Sequence, residues 1–526
     1  MPQHFLVNPA QGGLDLTTAA TNLGITKPDA LVLAENVEYD NSGSRRKRRG
    51  TTRYNSSAVT EAGSAITFTA LSDFWRYGTS RTPTQKFVAI GGTGIWKDDG
   101  DGIWDSGVTG WGANSAVGCI TIAQGRAVFS TSNGTDTPRV WDQTTFATLA
   151  SLGDTPPLFS ISAFHLRRLF VAGYASNPSQ ITLSAAGAIQ TWTGGDITTL
   201  TIDDDDGDAL IGMSKSFHGR IYFFKGPNYG SVHELSNNTF STMSRNKIIV
   251  GAPCVGHNSI ITTVNDIFWC SMYGFHALGA TQKYGDTEER FLSKPVQDAF
   301  NNLNFSRMDQ VQGFWHPTRN IIGWACPESG QTENNVLFIY NYATDRWAIW
   351  YLGGFNAASV MVARDPTLTS RRPRLYLGDY AGFVHAGDQT TLSDNDGTIA
   401  YTARIRTPIF SRMQETDELT EKVYHSITTF FRPKGNYNAT LDVVTDDRTQ
   451  SSLSVSMKGI GAVLGEFILG TDKLGSNDLT YFETPFEEKA RSIQLTYSLG
   501  GTNRDMEIYG YGIRYEPAEP NARERS

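Results

Sequence analysis

The sequence predicts an all-β protein, with a β-propeller of six to eight blades, a C-terminal β-sandwich-like domain and an extended N-terminal arm. Three observations predict this fold. Short β-branched and aromatic runs alternate with Gly, Asn, Asp and Pro, and the 526 residues include 52 glycines; this pattern is typical of strands joined by tight turns. Similar units recur at the spacing of propeller blades. The recurrence ends near residue 397, where longer alternating runs begin.

Residues 1–60 precede the first recurring unit and are predicted to form the arm and a hairpin. They contain a run of five cations followed closely by a sixth: Arg45, Arg46, Lys47, Arg48, Arg49 and Arg53. Such a run can hold nucleic-acid phosphates through salt-dependent contacts. It can equally pair with an acidic neighbouring subunit or be solvated. The run is therefore a candidate contact site for nucleic acid or a subunit.

Residues 61–397 are predicted to form the propeller. Each unit is a turn followed by a strand, and we take one hydrophobic anchor from each strand. The anchors are Phe87, Val128, Leu169, Ile221, Ile267, Ile321 and Leu375, at intervals of 41, 41, 52, 46, 54 and 54 residues. A blade typically repeats every ~40–50 residues. Stacking blades around an axis buries the sheet faces that a single blade leaves exposed. Two stacked β-sandwiches with accidental spacing are the alternative.

One segment of the propeller region reads as a helix. Ser293 can cap it, Pro295 suits its first turn, and Val296, Phe300 and Leu303 share one face.

Residues 398–516 are predicted to form the sandwich-like domain, because alternation over six to eight residues indicates half-buried strands. Residues 517–526 are polar and charged and are predicted to be a flexible tail.

The most acidic segment comprises Asp203, Asp204, Asp205, Asp206 and Asp208, with Gly207 among them. Clustered carboxylates suit a hard cation, but the spacing and terminal Glu of an EF-hand loop are missing. We favour a solvated turn between blades, where Asp and Gly are common.

Catalytic and cofactor motifs are not found in the sequence: there is no H-E-x-x-H, G-x-S-x-G or Walker loop. We predict no enzyme activity, cofactor or metal site, although two carboxylates for glycoside hydrolysis need not be close in sequence. The four cysteines lack C-x-x-C spacing and are expected to be small buried hydrophobes. The net charge of −8 argues against a generic binder of nucleic acid or anionic membranes. Without a membrane-spanning run or a signal peptide, the protein is expected to be soluble and made in the cytoplasm.

Two stretches resemble a known family. The first contains Gly12-Gly13-Leu14, then Ala34-Glu35-Asn36-Val37, then the basic run ending in Gly50-Thr51. The second contains Asp206-Gly207-Asp208-Ala209-Leu210, then Phe217-His218-Gly219-Arg220-Ile221-Tyr222 and Ser231-Val232-His233-Glu234-Leu235. In this order they resemble the tail nozzle, tail hub and packaged-DNA stabilisation proteins of short-tailed double-stranded DNA bacteriophages. The resemblance covers about residues 1–290, and the basic run is longer than is usual in that family.

The resemblance implies a structural virion protein of the tail, made in the host cytoplasm. Copies would form a ring, usually six, that retains packaged DNA and provides the channel for genome ejection. Implied partners are the adaptor and portal proteins, tail fibres or spikes, and double-stranded DNA in transit. The acidic loop and the segment from Glu415 to Glu421 are then candidates to line the channel. The other functions considered are a trimeric receptor-binding tail appendage and a glycan-active propeller enzyme.

Overall fold

The computed structural model describes residues 2–8, 11–40, 43–77, 83–111, 117–132, 136–194, 197–237, 242–281, 286–287, 290–366, 372–387, 391–413, 420–446, 448–458 and 479–518. These residues form a seven-bladed β-propeller and a β-sandwich, so the predicted fold class is confirmed. The predicted channel segment from Glu415 to Glu421 lies outside the described residues except at its end, and so does most of the predicted tail.

Seven groups of four antiparallel strands form the blades: six are separate four-stranded sheets, and the strands of blade 6 belong to a larger sheet. The strands of each blade are given from the axis outward. Blade 1 consists of Phe68–Tyr77, Pro83–Gly91, Gly94–Asp98 and Trp104–Val108, and blade 2 of Gly118–Ala123, Arg126–Thr131, Arg139–Trp141 and Phe146–Thr148. Blade 3 consists of Ile161–His165, Arg168–Ala172, Gln180–Leu183 and Thr198–Thr201, and blade 4 of Ala209–Met213, Arg220–Gly226, Ser231–Ser236 and Ser244–Val250. The last three consist of Ile261–Thr262, Ile267–Cys270, Phe275–Ala277 and Arg290–Phe291; Gln312–His316, Ile321–Cys326, Val336–Asn341 and Arg346–Tyr351; and Ala357–Arg364, Pro373–Asp379, Val384–Ala386 and Thr52–Arg53. Each predicted anchor lies on the second strand of a different blade.

The blades close into a ring. Innermost strands contact one another in chain order from blade 1 to blade 4 and from blade 5 to blade 7. The 3₁₀ turn His257–Ser259 contacts the innermost strands of blades 4 and 6, and strand Ala357–Arg364 of blade 7 contacts strand Phe68–Tyr77 of blade 1. The outermost strand of blade 7, Thr52–Arg53, comes from the N-terminal segment and pairs with Val384–Ala386. Contacts between distant parts of the chain therefore complete the propeller.

The sequence F-H-x-R occurs twice, at Phe164–Arg167 in blade 3 and at Phe217–Arg220 in blade 4, and each copy includes the tight turn between the two inner strands of its blade. Leu166 and Arg167 have φ of +43° and +66°, and His218 and Gly219 have φ of +48° and +77°. Two successive residues with positive φ define a type I′ hairpin turn, which matches the twist of the flanking strands. Blades 3 and 4 therefore share a turn type, although the turn begins one residue earlier in the motif of blade 4 than in that of blade 3.

Blade 6 continues into the sandwich. Its outermost strand pairs in parallel with Leu33–Glu35, which begins the first sandwich sheet, and together they form one ten-stranded sheet. The other strands of this sandwich sheet are Ala403–Arg406, Ile493–Leu499, Asn438–Thr445, Arg448–Thr449 and Leu453–Ser456. Because the sheet is continuous, the propeller and the sandwich share a hydrogen-bonded backbone connection.

The second sandwich sheet also uses N-terminal strands. It contains Gln3–Val7, Val37–Tyr39, Arg45–Lys47, Lys422–Phe431, Thr480–Ala490 and Glu507–Pro517. The predicted N-terminal arm, residues 1–60, therefore lies along the body of the protein as strands of the sandwich and of blade 7. Its predicted hairpin is the antiparallel pair Val37–Tyr39 and Arg45–Lys47. The predicted boundary at residue 398 precedes only the C-terminal strands of the sandwich, because its N-terminal strands lie before residue 60.

Few residues are helical. The α-helices are Ala20–Thr26 and Gln297–Asn301, and the 3₁₀ turns are Leu149–Leu152, His257–Ser259, Lys294–Val296, Phe305–Gln310 and Pro317–Arg319. Thr60–Glu61 pairs with Ser64–Ala65, and Ala280–Thr281 pairs with Asp286–Thr287. The predicted helix near residues 293–303 is confirmed as a 3₁₀ turn leading into an α-helix, with Val296, Phe300 and Leu303 buried.

Candidate functional site

The two N-terminal motifs of the family resemblance meet in space. The Arg45 side chain is fully buried, and its Nη2 donates to the carbonyl oxygens of Gly12, at 3.0 Å, and of Asp29. A Cβ on Gly12 would lie 2.3 Å from Asp29 O, and a Cβ on Gly13 would lie 2.9 Å from Arg346 Cβ. Only glycine permits so close an approach of the backbone. The Gly12-Gly13 pair is thus packed between the sandwich and blade 6.

Asn36 carries the chain from one sandwich sheet to the other. It lies between strands Leu33–Glu35 and Val37–Tyr39 with φ of +53°, a conformation that Asn tolerates better than most residues. Its Nδ2 donates to Thr402 O at 2.9 Å, and its Oδ1 accepts from Tyr351 N at 2.9 Å. A single side chain therefore fixes the last strand of blade 6 against both sandwich sheets.

Arg48 forms a buried ion pair with Asp394. Its side chain is 1% exposed and that of Asp394 is 0% exposed. Nη1 donates to Asp394 Oδ1 at 2.9 Å and to Arg49 O, Nη2 donates to Asp394 Oδ2 and to Tyr351 O, and Nε donates to Asn36 Oδ1. All five N–H donors of the guanidinium are therefore used. Burial lowers the pKa of Arg48, but the Asp394 carboxylate more than offsets this and raises it above its ordinary value.

Lys47 is the second fully buried cation of the run after Arg45. Its Nζ donates to Gly501 O at 3.2 Å and lies 4.5 Å from the centre of the Tyr401 ring. Burial, together with the neighbouring charge of Arg48, lowers the pKa of Lys47 to about 8. This ammonium group is held at a cost in stability because no carboxylate is in direct contact with it among the described residues.

The remaining cations of the run are more accessible. Arg46 is 32% exposed and donates to Asp505 Oδ2 at 2.8 Å. Arg49 is exposed, and Arg53 lies 4.2 Å from the centre of the Phe383 ring. The three buried cations, Arg45, Lys47 and Arg48, face the interior between the propeller and the sandwich. Contact of the basic run with nucleic acid or a subunit stays a prediction.

The acidic loop connects the outermost strand of blade 3 to the innermost strand of blade 4. Lys225 Nζ is completely buried beneath it and binds Asp206 Oδ1 and Ile202 O. Asp203 Oδ2 accepts from Lys247 Nζ at 3.0 Å, and this hydrogen bond is the main reason why the pKa of Asp203 is lowered. Asp203 and Asp206 of the loop therefore bind lysines of blade 4.

Asp208 holds the turn between the second and third strands of blade 4. Its carboxylate accepts from the backbone N–H groups of Asn228, Tyr229 and Gly230 at 2.7–2.9 Å. Asp204 and Asp205 are exposed. Among the residues that the structure describes, no group of three or more His, Cys, Asp or Glu side chains is arranged to hold a metal ion.

A cavity of about 500 Å³ lies on the propeller axis, and its wall is formed by blades 1–4, 6 and 7 and by the turn that precedes blade 5. Ser72, Thr121, Ser162 and Ser214 are among its lining residues. Ser162 Oγ donates to Thr121 Oγ1 at 2.9 Å, and Thr121 Oγ1 donates to Ser162 O at 2.8 Å, which links blades 2 and 3. The sequence analysis missed this cavity. A usable signal was present, since Thr121, Ser162 and Ser214 each precede the anchor of their blade by seven residues.

The axial turn, residues His257–Ser259, crosses the axis at the end of this cavity. Asn258 Nδ2 donates to Gly118 O of blade 2 at 2.9 Å, although Asn258 immediately precedes blade 5. Val117, next to Gly118, lines a second cavity of about 240 Å³. The axis of the propeller is therefore interrupted within a single chain.

The axial turn also contacts a cysteine. His257 Nδ1 accepts from Met213 N at 3.2 Å, which leaves Nε2 as the nitrogen that can donate. Burial raises the pKa of Cys119, but the charge and hydrogen bond of His257 outweigh it and lower the pKa to about 7. Burial raises the pKa of Cys254 to about 11 and also raises that of Cys270 and Cys326. All four cysteines are free and buried, as expected, but Cys119 differs from the others in its chemistry.

Comparisons with known proteins identify no relative by sequence: no protein-family model and no curated protein matches this chain. Among solved structures, the chain is similar to YCF48 bound to a D1 peptide, with 8% identity, a TM-score of 0.38, and coverage of 68% of this chain and 98% of that one. It is also similar to BBS1N in complex with ARL6DN, with 11% identity, a TM-score of 0.41, and coverage of 65% and 97%. YCF48 from Cyanidioschyzon merolae has 8% identity, a TM-score of 0.37, and coverage of 62% and 97%.

The propeller assignment follows from the seven sheets and their closure into a ring. None of the helices in the described ranges is long and apolar enough to span a membrane.

Proposed function

We propose that this chain is a structural protein of the tail of a short-tailed double-stranded DNA bacteriophage. In this proposal several copies, six by the family resemblance, form the distal nozzle ring. The ring retains packaged DNA and provides the channel for genome ejection, and the chain is not an enzyme.

The proposal is supported most directly by the positions in the fold of the residues that carry the family resemblance. Gly12, Gly13, Asn36 and Arg48 converge where blade 6 meets the sandwich. Residues that serve a shared architecture are expected to lie at such a junction, whereas residues of a shared reaction would line a pocket. The motifs are therefore better explained as the determinants of a rigid building block than as a catalytic centre.

Rigidity is the property that a tail ring requires. A ten-stranded sheet passes from blade 6 into the sandwich, and N-terminal strands pair with both parts. Bending this connection would break backbone hydrogen bonds that are buried among hydrophobic side chains, which is costly. A closed ring also needs a heterologous interface, in which different surfaces of neighbouring copies meet.

The path of the DNA in this proposal lies between copies and not through the propeller. The axial turn interrupts the propeller axis, and the cavity beside it is only about 500 Å³ in volume. The net charge of −8 favours a conduit whose wall repels phosphates within a Debye length of about 8–10 Å. The burial of Arg45, Lys47 and Arg48 also removes cations that would retard sliding DNA.

The oligomeric state of the purified chain tests this proposal. Native mass spectrometry and negative-stain electron microscopy are expected to show a closed ring of about six copies around an open centre. Antibodies against the chain are expected to label the distal tail of virions. A strictly monomeric protein that is missing from particles would overturn the proposal. Threefold symmetry with blocking of adsorption would favour a receptor-binding appendage, and turnover on a glycan panel would favour an enzyme.

A further inference from the structure

The axial cavity of the propeller has the construction of a ligand site. Its volume of about 500 Å³ lies within the range of small-molecule pockets, which is about 300–1,000 Å³. The axial turn limits it on one side, where Asn258 reaches across to Gly118. A ligand that entered would contact six of the blades and the turn that precedes blade 5.

One polar side chain in the cavity wall is left without a partner. Gln312 is 5% exposed and lines the cavity, yet its side-chain amide makes no hydrogen bond to another described residue. Gln312 also lines the second cavity of about 240 Å³, and its amide can both donate hydrogen bonds to an occupant and accept them. A hydroxyl group has this double capacity.

The described residues that line the cavity include a basic side chain but no acidic one. Lys215 is the one Lys or Arg among the described lining residues, and no Asp or Glu is among them. Lys215 is exposed, and its ammonium group has no carboxylate partner within 4.0 Å in the described structure. Burial raises the pKa of Asp73, and the Trp75 hydrogen bond and the charge of Lys215 partly offset this. In a chain with a net charge of −8, a lining with a single cation favours an anionic ligand.

Apolar groups complete the wall. Leu71, Phe164 and Ile260 line the cavity between the hydroxyl-bearing residues. This mixture suits a ligand with hydroxyl groups at its edges and C–H groups on its faces. A sugar ring has this distribution, and a carboxylate on the ring would provide the negative charge.

We propose that the axial cavity binds a small hydroxylated carboxylate, such as an acidic monosaccharide, with Lys215 holding the carboxylate and Gln312 a hydroxyl group. This binding site goes beyond the proposed tail function and does not depend on it. Its chemistry is recognition without a covalent step.

The test is isothermal titration calorimetry of the full chain with three probes: glucuronate, glucose and acetate. Glucuronate and glucose differ only in the carboxylate, whereas acetate has the carboxylate without the ring. Glucuronate is expected to bind at least tenfold more tightly than either of the others. Lys215→Met should reduce the glucuronate affinity to that of glucose, and Gln312→Leu should weaken both sugars at least tenfold.

Lys247→Met is the matched control, because Lys247 lies in the same blade on its outermost strand and faces Asp203. This variant should bind glucuronate like the unmodified protein. Circular dichroism of each variant checks that it is folded, and a variant that fails is replaced by Lys215→Gln or Gln312→Ala.

The proposal is overturned if no sugar binds, if acetate binds as tightly as glucuronate, or if folded variants at Lys215 and Gln312 keep the full affinity. Ring formation is measured on the same samples. Loss of sugar binding with intact rings contradicts this site alone, and sugar binding by a monomeric chain contradicts the tail function alone.

Discussion

The buried pair of Arg48 and Asp394 offers the sharpest test of how the two parts of the chain are held together. Arg48→Met removes five hydrogen-bond donors and leaves the Asp394 carboxylate buried at 0% exposure. That carboxylate keeps hydrogen bonds from Thr51 Oγ1 and Gly353 N but loses its only cation within 4.0 Å among the described residues. Breaking one partner of a buried pair costs about 3–5 kcal/mol, and we expect a loss of that size in the free energy of unfolding.

Urea unfolding followed by tryptophan fluorescence measures this loss. Trp350 is a suitable reporter at the junction, since the Arg48 guanidinium lies 6.0 Å from its ring centre. Arg53→Met is the control: Arg53 and Asp396 are 3.8 Å apart with side chains 35% and 46% exposed. Solvent screens such a pair, so the control should cost less than about 1 kcal/mol.

A double variant separates loss of the charge balance from loss of packing. Replacing Asp394 by Leu in the Arg48→Met background removes the stranded charge, and apolar replacement of a whole buried pair is often neutral. We therefore expect it to recover at least about 1 kcal/mol relative to Arg48→Met alone. Equal losses for Arg48→Met and Arg53→Met, or no recovery in the double variant, would refute the role assigned to this pair.

Three further predictions concern single groups. The pKa of Lys47 is lowered from 10.5 to about 8. Between these pH values the unfolded chain holds a proton that the folded chain has lost. The contribution of Lys47 to the free energy of unfolding therefore rises with pH. Lys47→Met should therefore raise the free energy of unfolding at pH 7 by roughly 1–3 kcal/mol and flatten this rise in urea titrations at pH 7–10; an unchanged profile would argue against a charged buried amine. Iodoacetamide should alkylate Cys119 first, at a rate that increases with pH around a midpoint of about 7. His257→Ala should move the midpoint of this pH dependence above 8, measured by mass spectrometry of the alkylated protein. Uniform labelling of all four cysteines would contradict this prediction. Gly12→Ala should lower stability by about 1–3 kcal/mol in thermal melts because its Cβ would lie 2.3 Å from a backbone oxygen, whereas Gly500→Ala, which meets only a side-chain hydroxyl at 3.1 Å, should cost clearly less.

The propeller could be predicted because its blades repeat a local pattern. Anchors such as Val128 and Leu169 recur at intervals set by four short strands and their turns, and each fell on the second strand of a blade. Turn residues such as His218 and Gly219 are local as well, because positive φ is a property of a few residue types. Patterns formed by residues this close together in the chain can be recognised in a single sequence.

The fate of the basic run could not be predicted in the same way. Nothing in the five consecutive cations indicates that Asp394, nearly 350 residues later, neutralises Arg48, or that Gly12 O receives Arg45. A run of this kind normally marks a solvated or contact surface, since burying a cation without partners is costly. Its partners are brought together only when the N-terminal strands enter the sandwich.

By itself, the sequence determined which segments form strands and turns, that six to eight blades repeat along the chain, and that the chain is rich in uncharged β structure, because these depend on neighbours within a few dozen positions. Only the tertiary structure decided the closure of the ring by Thr52–Arg53, the continuous sheet from blade 6 into the sandwich, the burial of Arg45, Lys47 and Arg48, and the axial cavity with its interrupting turn. Each of these depends on contacts between residues that are far apart in the chain, and a partner's identity is not encoded near either member of such a contact.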